Sequence, residues 1–299
     1  MASSPTTAAT WQLGTRFASV EGTVKRALYR LLNHWRVRRV LEGVPPFTTL
    51  YGGWNRQHPF DREFGTDTSG SVSITKLRQD EPGAGLCEEN MNSYAGSQPS
   101  IVRRAIQSLP DVTGFTFVDQ GCGKGRPLLI ATEFPFRDII GVDLSKGLLS
   151  IARSNANAIQ QRFPQRVLIT LLQRTAHDFI PANDRIVFFC YNSMTRDGVG
   201  EFVQRLEKKV SDPATDVFVI YYNPVCGDLF DASPKLSRWF AGVIPYSRSE
   251  LGFGPDTEDS VVIWQSASHG RSGLTGAHRK IKVVDPRYRA DVEKSPAGS

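Results

Sequence analysis

The chain has 299 residues, of which 40% are hydrophobic and 22% charged, and its formal net charge is +6. This length suits one large domain with an extension, or at most two domains. No apolar run approaches the roughly 20 residues that a helix needs to span a bilayer, so a transmembrane segment is not expected. The basic balance is compatible with an anionic partner, but a solvated surface is the commoner explanation for it.

The cysteines and histidines argue against a disulfide framework and a metal centre. Four cysteines are scattered along the chain without a CxxC pair: Cys87, Cys122, Cys190 and Cys226. Reduced thiols in a cytoplasmic protein are therefore expected. The five histidines are dispersed, so no metal site is expected. The first forty residues are rich in Ser, Thr and Arg with one acid, Glu21, and weakly resemble an organelle transit peptide; a cytosolic helix is the simpler interpretation.

Residues 1–43 are predicted to form a basic helical extension. From Val24 to Val40 the apolar residues recur at helical spacing, and lysines and arginines occupy much of the rest. The apolar stripe is expected to pack on the protein's own domain. A membrane surface or a nucleic acid is the alternative partner for such a helix. Residues 44–97 show little periodicity and are rich in Gly, Pro, Ser, Asp and Thr, which predicts a loop-rich lead-in that is functional or disordered.

Residues 98–267 alternate strand and helix patterns. Near-continuous apolar runs predict strands, and amphipathic runs between them predict helices. The predicted strands are "GFTFVD", "RDIIGVD", "RVLITLL", "DRIVFFCY", "TDVFVIYY" and "SVVIWQS". This alternation predicts an α/β domain with a parallel sheet covered by helices on both faces. Residues 268–299 carry charge, Gly and Ser, and are expected to be a flexible tail.

The first predicted strand leads into an unusually bare turn, "VDQGCGKGR", at residues 118–126. In parallel sheets, ligands bind beyond the carboxyl ends of the strands, where a strand turns into its helix. Glycine there permits unusual backbone angles and lets a ligand lie against the main chain. The helix that follows directs its free N–H groups at the same place. A ligand-binding turn is therefore predicted.

The spacing of the glycines selects among the ligands that use such turns. A P-loop requires G-x-x-x-x-G-K-[ST], and Val118 occupies the position of its leading glycine, so that motif is absent. A dinucleotide fingerprint requires G-x-G-x-x-G, and its last position here is Arg126. The chain instead has an acid followed by three alternating glycines, Asp119, Gly121, Gly123 and Gly125. This acid-first spacing resembles the first motif of class I S-adenosylmethionine-dependent methyltransferases.

A second carboxylate supports a nucleoside ligand. The strand "IIGVD" ends in Asp143, whose carboxylate can accept hydrogen bonds from both ribose hydroxyls. Enzymes that bind NAD place an acid similarly, so Asp143 alone does not identify the nucleoside. The alternative role for Asp143 is a helix N-cap, and for Asp119 a turn-forming residue.

The lead-in extends the resemblance to roughly residues 58–265. "FDREFGTDTSG", "YAGSQPSIVRRAIQSLP" and "FVDQGCGKGR" follow one another as in a family of small class I methyltransferases with an FDxxxGxDTxG segment, a Tyr-containing loop and a DxGxGxGR motif. The resemblance implies a three-layer sandwich around a mostly parallel seven-stranded sheet. It also implies that S-adenosyl-L-methionine binds across Tyr94, Asp119, Gly121, Gly123, Gly125 and Asp143, and that residues 58–97 close over it and select the acceptor.

Several positions depart from the family pattern. The family has Tyr-Glu-Pro-Thr where this chain has Tyr94 followed by Ala, Gly and Ser, so one carboxylate is missing. After the third strand it has Gly-Asp-Ala, whose acid lies near the adenine amine; here Asp178, slightly further on, is expected to replace that acid. After the fourth strand it has Asn-Pro-Phe, and this chain has Asn-Ser-Met from Asn192. These departures bear mainly on the acceptor.

The resemblance implies methyl transfer by in-line displacement, in which positioning is the main task of the protein. Tyr191 and Asn192 end the fourth strand and are the expected catalytic residues, with Asn192 holding an acceptor nitrogen. A small molecule or a protein side chain is the expected acceptor, and no motif supports a nucleic acid. His58 and His177 are weaker candidates for a general base. The alternatives are aminopropyl transfer and a catalytically silent module that docks on RNA or a membrane through its basic helix.

Overall fold

The computed structural model describes residues 24, 28, 31, 37, 56–83, 86, 92–253, 256–281 and 283. Most of the predicted extension, residues 1–43, and of the predicted tail, residues 268–299, therefore lies outside the described residues. Val24, Leu28 and Leu31 are helical, and they remain 62%, 52% and 61% exposed. These three side chains do not pack on the domain as the apolar stripe was expected to do. No helix in the described ranges is long and apolar enough to cross a membrane.

A seven-stranded, mostly parallel sheet forms the centre of the domain. Its strands are β3 (Thr116–Gln120), β4 (Asp138–Asp143), β5 (Ile169–Gln173), β6 (Arg185–Tyr191), β7 (Asp216–Tyr222), β8 (Leu236–Pro245) and β9 (Glu258–Ser266). Their order in the sheet is β5-β4-β3-β6-β7-β9-β8. Strands β3 to β7 run parallel, whereas β9 lies antiparallel between β7 and β8. A short antiparallel ribbon precedes them, β1 (Ser71–Val72) and β2 (Tyr94–Ala95).

Helices cover both faces of the sheet. They are α1 (Pro59–Phe64), α2 (Ile74–Asp80), α3 (Pro99–Gln107), α4 (Arg126–Ala131), α5 (Lys146–Arg162), α6 (Arg196–Lys209) and α7 (Gly227–Asp231), with 3-10 turns at Ala176–Asp178 and Ala267–His269. One buried cluster joins alternate strand residues such as Phe117 and Phe189 to α3, α4 and α5. A second joins Val118 and Phe188 to α6 and α7. Because successive side chains of a strand point to opposite faces of the sheet, alternate residues of each strand contribute to the two core layers on either side of it.

The strand order is that of the class I methyltransferase fold, so the predicted three-layer α/β sandwich is confirmed. The order reverses at β3, which has β4 on one side and β6 on the other. A crevice at such a reversal, beyond the carboxyl ends of the strands, is the usual binding place in an open α/β sheet. The glycine turn at residues 121–125 follows β3 and lies there.

Two features differ from the sequence prediction. The lead-in is more regular than expected, because it contains α1, α2 and the β1-β2 ribbon. Strand β8 was not predicted. It pairs on one side only, with β9, shifts register between Arg238 and Phe240, and ends at Pro245. An edge strand with a bulge and a terminal proline does not show the clean alternation by which strands are recognised.

Candidate active site

A solvent-open cavity lies at the carboxyl ends of β3, β4 and β6 and encloses about 710 Å³ including its mouth. The glycine turn, here called its floor, and residues 92–97, here called the cover segment, both line it, and the Tyr94 ring of the cover segment lies against Gly123. The cavity is lined by most of the residues singled out from the sequence, namely Tyr94, Asp119, Gly121, Gly123, Asp143 and Tyr191.

The turn requires glycine because neighbouring side chains occupy the space that its own side chains would need. Gly121, Gly123 and Gly125 have φ angles of 84°, 52° and 87°, in the region that favours glycine. A Cβ on Gly121 would overlap the side chain of Ser193, and a Cβ on Gly123 would overlap the ring of Tyr94. Gly125 ends the turn as the N-cap of α4 and does not line the cavity.

Asp119 supplies an unused carboxylate oxygen to the cavity. The residue is 2% exposed, and its Oδ2 has no hydrogen-bond partner in the part of the chain that the structure describes. Burial, and then the nearby Asp143 carboxylate, raise its pKa well above the usual value. A buried carboxyl without a partner is costly. A cationic ligand group would satisfy this oxygen and favour its ionised form.

Asp143 braces the turn and keeps acceptor capacity. Its Oδ2 accepts a hydrogen bond from the Gly123 N–H at 2.8 Å, and its Oδ1 accepts one from the Ser145 N–H at 2.9 Å. The N-cap of α5 is Ser145, whose hydroxyl accepts from the Leu148 N–H, so Asp143 is not the cap. A carboxylate has about four acceptor positions, which leaves one on each oxygen for a diol. Burial is the main cause that raises the pKa of Asp143 to about 6.

The lead-in also reaches the side of the cavity that is lined by Asp143 and Leu148. Leu77 and Leu86 pack in one apolar cluster with Leu148, which lines the cavity. The Glu81 carboxylate accepts hydrogen bonds from the N–H groups of Lys146 at 2.7 Å and Gly147 at 2.9 Å. A negative charge at a helix N-terminus is favourable, so Glu81 fastens the end of α2 to the start of α5.

The cover segment crosses the cavity and is fixed at both ends. At one end the Asn92 amide donates to the main-chain oxygens of Asn192 at 2.6 Å and Met194 at 3.2 Å. At the other end the Ser97 carbonyl accepts from the Arg126 guanidinium at 2.7 Å. Ser97 Oγ is buried without a partner among the described residues, although Ser97 lines the cavity. This hydroxyl can donate a hydrogen bond to a ligand.

The two expected catalytic residues are placed differently. Tyr191 lines the cavity, with its ring stacked on Tyr222 at 4.1 Å between centroids, and burial raises its pKa above the usual value. Asn192 follows in a left-handed conformation, φ 47°, and its Oδ1 is buried without a partner in the described ranges. Asn192 does not itself line the cavity, whereas Ser193 beside it does. A left-handed Asn is tolerated but uncommon, and such conformations occur often at functional sites.

The structure does not bring Asp178 to the cavity. Its carboxylate pairs with the Arg205 guanidinium at 2.7 Å, and Ala176, two residues earlier, lines the cavity instead. The extra residues after β5 form a 3-10 helix that directs the Asp178 carboxylate toward α6.

Three potential metal-ligand atoms lie within 4.8 Å of one another beside this turn, one each from His177, Asp178 and Glu201. Arg205 already pairs with both acids of this group, which disfavours a cation there.

His58 does not reach the cavity either. It is 3% exposed, caps α1 and contacts Gln98 at 3.1 Å. Burial is the main cause that lowers its pKa to about 4.

Sequence reasoning missed Asn92, Ser97 and Arg126. The only available signal was their position, since Arg126 ends the DxGxGxGR motif and Ser97 stands where the family has Thr.

Comparison with known proteins gives remote structural likenesses only. No family model and no curated protein matches the sequence. The structure is similar to TrmN from Thermus thermophilus (16% identity, 64% of this chain and 53% of that chain, TM-score 0.43), so the chain spans about half of that protein. It is also similar to magnesium protoporphyrin IX methyltransferase from Synechocystis PCC 6803 with bound SAM (13%, 81% and 96%, 0.38). The fold assignment rests on the strand order, and these likenesses add no argument to it.

Proposed function

We propose that this protein is an S-adenosylmethionine-dependent methyltransferase. The observation that carries the proposal is an oxygen of Asp119 that has no hydrogen-bond partner among the described residues and belongs to a cavity lined by the glycine turn. S-adenosylmethionine carries an ammonium group, which suits that carboxylate. A second carboxylate, Asp143, lies at the end of the neighbouring strand, as a ribose requires.

Each part of the cofactor has a residue that suits it. Asp119 would accept from the ammonium, and Asp143 would accept from the ribose hydroxyls with its two remaining acceptor positions. Ser97 Oγ would donate to the carboxylate of the methionine part. Tyr94 would cover that part from the side of the cover segment. Asp178, which the sequence analysis assigned to the adenine, has no role in this arrangement because Arg205 holds it away from the cavity.

We further propose an amine acceptor, on a small molecule or a protein side chain. The cofactor would supply a methyl group on a positively charged sulfur, and the protein would position an acceptor in line with it. Among the described residues that line the cavity, the carboxylates are Asp119 and Asp143, and both lie at the cofactor end. Burial keeps the Tyr191 phenol protonated. A neutral amine needs no base to attack, and Tyr191, which lines the cavity, would offer it a neutral hydrogen-bonding group, with Asn192 adjacent in the chain.

Calorimetry tests the cofactor. Wild-type protein and Asp143→Ala would be titrated with S-adenosylmethionine, S-adenosylhomocysteine and NAD. We expect both sulfur compounds to bind the wild type, with much weaker binding to Asp143→Ala, and NAD not to bind. Binding of NAD without binding of the sulfur compounds would refute the proposal.

Labelling tests the reaction and the acceptor. The protein would be incubated with cell extract and S-adenosylmethionine that carries a radioactive methyl group, with Asp119→Asn as the control. Label in protein bands favours a polypeptide acceptor, and label in the small-molecule pool favours a metabolite. Label in RNA would contradict the expected acceptor. Cofactor binding with no transfer to any fraction would favour a catalytically silent binding module.

A further inference from the structure

A buried carboxylate organises the FDxxxGxDTxG segment, residues 60–70. Asp61 is 0% exposed. Its Oδ1 accepts hydrogen bonds from the Thr66 hydroxyl at 2.7 Å, the Thr68 N–H at 2.9 Å and the Thr68 hydroxyl at 2.6 Å, and its Oδ2 accepts from the Ser69 hydroxyl. These hydrogen bonds lower the pKa of Asp61 against the opposing effect of burial. The charged residue therefore fixes the loop that contains Thr68.

Arg126, at the end of the glycine motif, joins this loop to the cover segment. Its Nε donates to Thr68 Oγ1 at 2.6 Å, its Nη2 to the Thr68 carbonyl at 2.8 Å, and its Nη1 to the Ser97 carbonyl at 2.7 Å. Its Nη2 also lies 3.8 Å from Asp61 Oδ2, and the side chains are 3% and 0% exposed. Three of the five guanidinium N–H groups are thus committed to protein oxygens, on a residue that also lines the cavity.

Tyr94 depends on the same loop. Its hydroxyl donates to the Thr68 carbonyl at 2.8 Å, so Tyr94 and Arg126 share one acceptor. The main chain of Gly96 passes so close that a Cβ there would lie 2.7 Å from that carbonyl oxygen and 2.9 Å from Arg126 Nη1. Glycine at position 96 therefore permits the contact. The Tyr94 ring, held in this way, covers Gly123 at the floor of the cavity.

We infer that Asp61 and Arg126 are positioning residues for cofactor binding, which act by holding the Tyr94 ring over the methionine end of the cavity. This inference rests on the proposed function. It gives a physical reason for the two sequence motifs: the FDxxxGxDTxG segment supplies the buried anion and the carbonyl, and the glycine motif supplies the cation.

The chemistry of the pair makes the inference specific. Arginine is planar with donors in a fixed fork, whereas lysine offers a point charge, so Arg126→Lys cannot reach Thr68 and Ser97 together. Removing the charge of either Asp61 or Arg126 leaves the other residue with a buried charge that has no opposite charge beside it. Tyr94→Phe removes only the hydroxyl that links the ring to Thr68, and it leaves the buried pair intact.

The test compares two ligands that share the adenosyl part. S-adenosylhomocysteine contains the amino acid portion, and 5′-methylthioadenosine lacks it. We expect Arg126→Lys, Asp61→Asn and Tyr94→Phe to weaken binding of S-adenosylhomocysteine about tenfold or more, and binding of methylthioadenosine less than about twofold. A purely structural loss would weaken both ligands in the same proportion. Calorimetry would be performed on protein whose circular dichroism matches that of the wild type.

Asp216→Asn is the matched control. Asp216 is a buried carboxylate that pairs with Arg271, at 2.8 Å, at the opposite end of the sheet. This variant is expected to lose thermal stability and to keep both affinities. If Asp61→Asn does not fold, Tyr94→Phe and Arg126→Lys still decide the matter. A proportional loss of affinity for both ligands, or no loss of affinity for either, would overturn the inference. A wild type that binds neither ligand would overturn the proposed function, and the inference with it.

Discussion

The Asp143 carboxylate accepts a hydrogen bond from the main-chain N–H of Gly123 at 2.8 Å. The end of β4 is thereby tied to the bare turn after β3, and the two motif elements recognised separately in the sequence form one wall of the cavity. Because the second carboxylate oxygen is held by the Ser145 N–H, both oxygens are fixed in direction. A diol presented at this wall would meet acceptors that need no rearrangement.

Asp143→Asn should weaken the binding of S-adenosylhomocysteine and of methylthioadenosine to the same extent, because both ligands contain the ribose. Loss of a charged acceptor shared by two hydroxyls should raise each dissociation constant by about 10- to 100-fold. Calorimetry measures both. Asp178→Asn is the control and should bind both ligands like the wild type, since its carboxylate pairs with Arg205. Weaker binding by Asp178→Asn would restore that residue to the adenine site and count against the present assignment.

Ligand affinity should fall in acid. Burial raises the pKa of Asp143 to about 6 in the free protein, and ribose hydroxyls hydrogen-bond better to the ionised carboxylate. Ligand binding should therefore lower this pKa and release a proton. Methylthioadenosine should bind progressively more weakly as the pH falls through about 6. Its affinity should be level well above that pH, and Asp143→Asn should remove the dependence.

The affinity for S-adenosylhomocysteine should depend on pH more steeply than the affinity for methylthioadenosine. Its ammonium would meet Asp119, whose pKa burial and then the Asp143 charge raise well above the usual value. Deprotonation of Asp119 is favoured only when the ammonium is present, so affinity should continue to rise at pH values where that of methylthioadenosine is level. Titrations in buffers of different ionisation enthalpy would count the protons released. Parallel profiles for the two ligands would be evidence against an ammonium at Asp119.

Ser97→Ala should reduce affinity for S-adenosylhomocysteine by about 3- to 10-fold and leave methylthioadenosine unaffected, because its buried hydroxyl is assigned to the carboxylate of the methionine part. The change removes one atom and leaves the Ser97 carbonyl on Arg126. Ser108→Ala is a suitable control, since the Ser108 hydroxyl donates to the Ala105 carbonyl within α3. Equal losses for the two ligands would place Ser97 elsewhere in the site.

Gly123→Ala should be costly for both folding and binding. The residue has a φ of 52°, and the new Cβ would overlap the Tyr94 ring. We expect a loss of more than about 1 kcal/mol in the free energy of unfolding. The displaced ring should also weaken S-adenosylhomocysteine binding.

Gly200→Ala is the control for this substitution. Gly200 lies within α6 with open space around its Cβ position. Replacing a glycine in a helix interior by alanine should raise stability by roughly 1 kcal/mol. Thermal melts and calorimetry would show both results. A Gly123→Ala protein as stable as Gly200→Ala would mean that the turn tolerates side chains, contrary to its proposed function.

The fold was predictable from sequence because buried parallel strands carry a strong local signal. The run "VFFCY" within β6 is apolar throughout, since both faces are covered, and each such strand was found within a few residues of its true bounds. The glycine turn was predictable for a related reason, because a chain in the left-handed region at Gly121 and Gly123 restricts the residue type.

The lead-in could not be derived in the same way. Asp61 and Arg126 lie 65 positions apart, and no periodicity links a carboxylate in one short helix to a guanidinium that starts another. Their pairing depends on the tertiary fold, which places the segment over the cavity. Asp178 shows the opposite error. The resemblance to the methyltransferase family implied that Asp178 lies near the adenine, but the 3-10 turn after β5 directs its carboxylate toward Arg205.

Asn192 should affect methyl transfer without affecting cofactor binding. Its left-handed backbone, φ 47°, is accessible to glycine, so Asn192→Gly removes the side chain, whose Oδ1 has no partner among the described residues, without straining the main chain. S-adenosylhomocysteine should bind Asn192→Gly as it binds the wild type. Transfer of labelled methyl groups to the acceptor fraction should fall by about tenfold or more if the amide holds the acceptor nitrogen.

Asn223→Gly isolates the contribution of the side chain at position 192. Asn223 directly follows β7 with a φ of 50°, so it shares the backbone conformation of Asn192 one strand away. Neither asparagine lines the described cavity, but Asn192 lies between two residues that do, Tyr191 and Ser193. Replacement of Asn223 should leave the transfer rate unchanged, because any effect of glycine on the mobility of a strand end would appear in both variants. An equal loss of transfer in the two variants would attribute the effect to backbone rigidity at the ends of the strands. A rate unchanged in Asn192→Gly would show that the acceptor is held by other groups, with Tyr191 the next to replace.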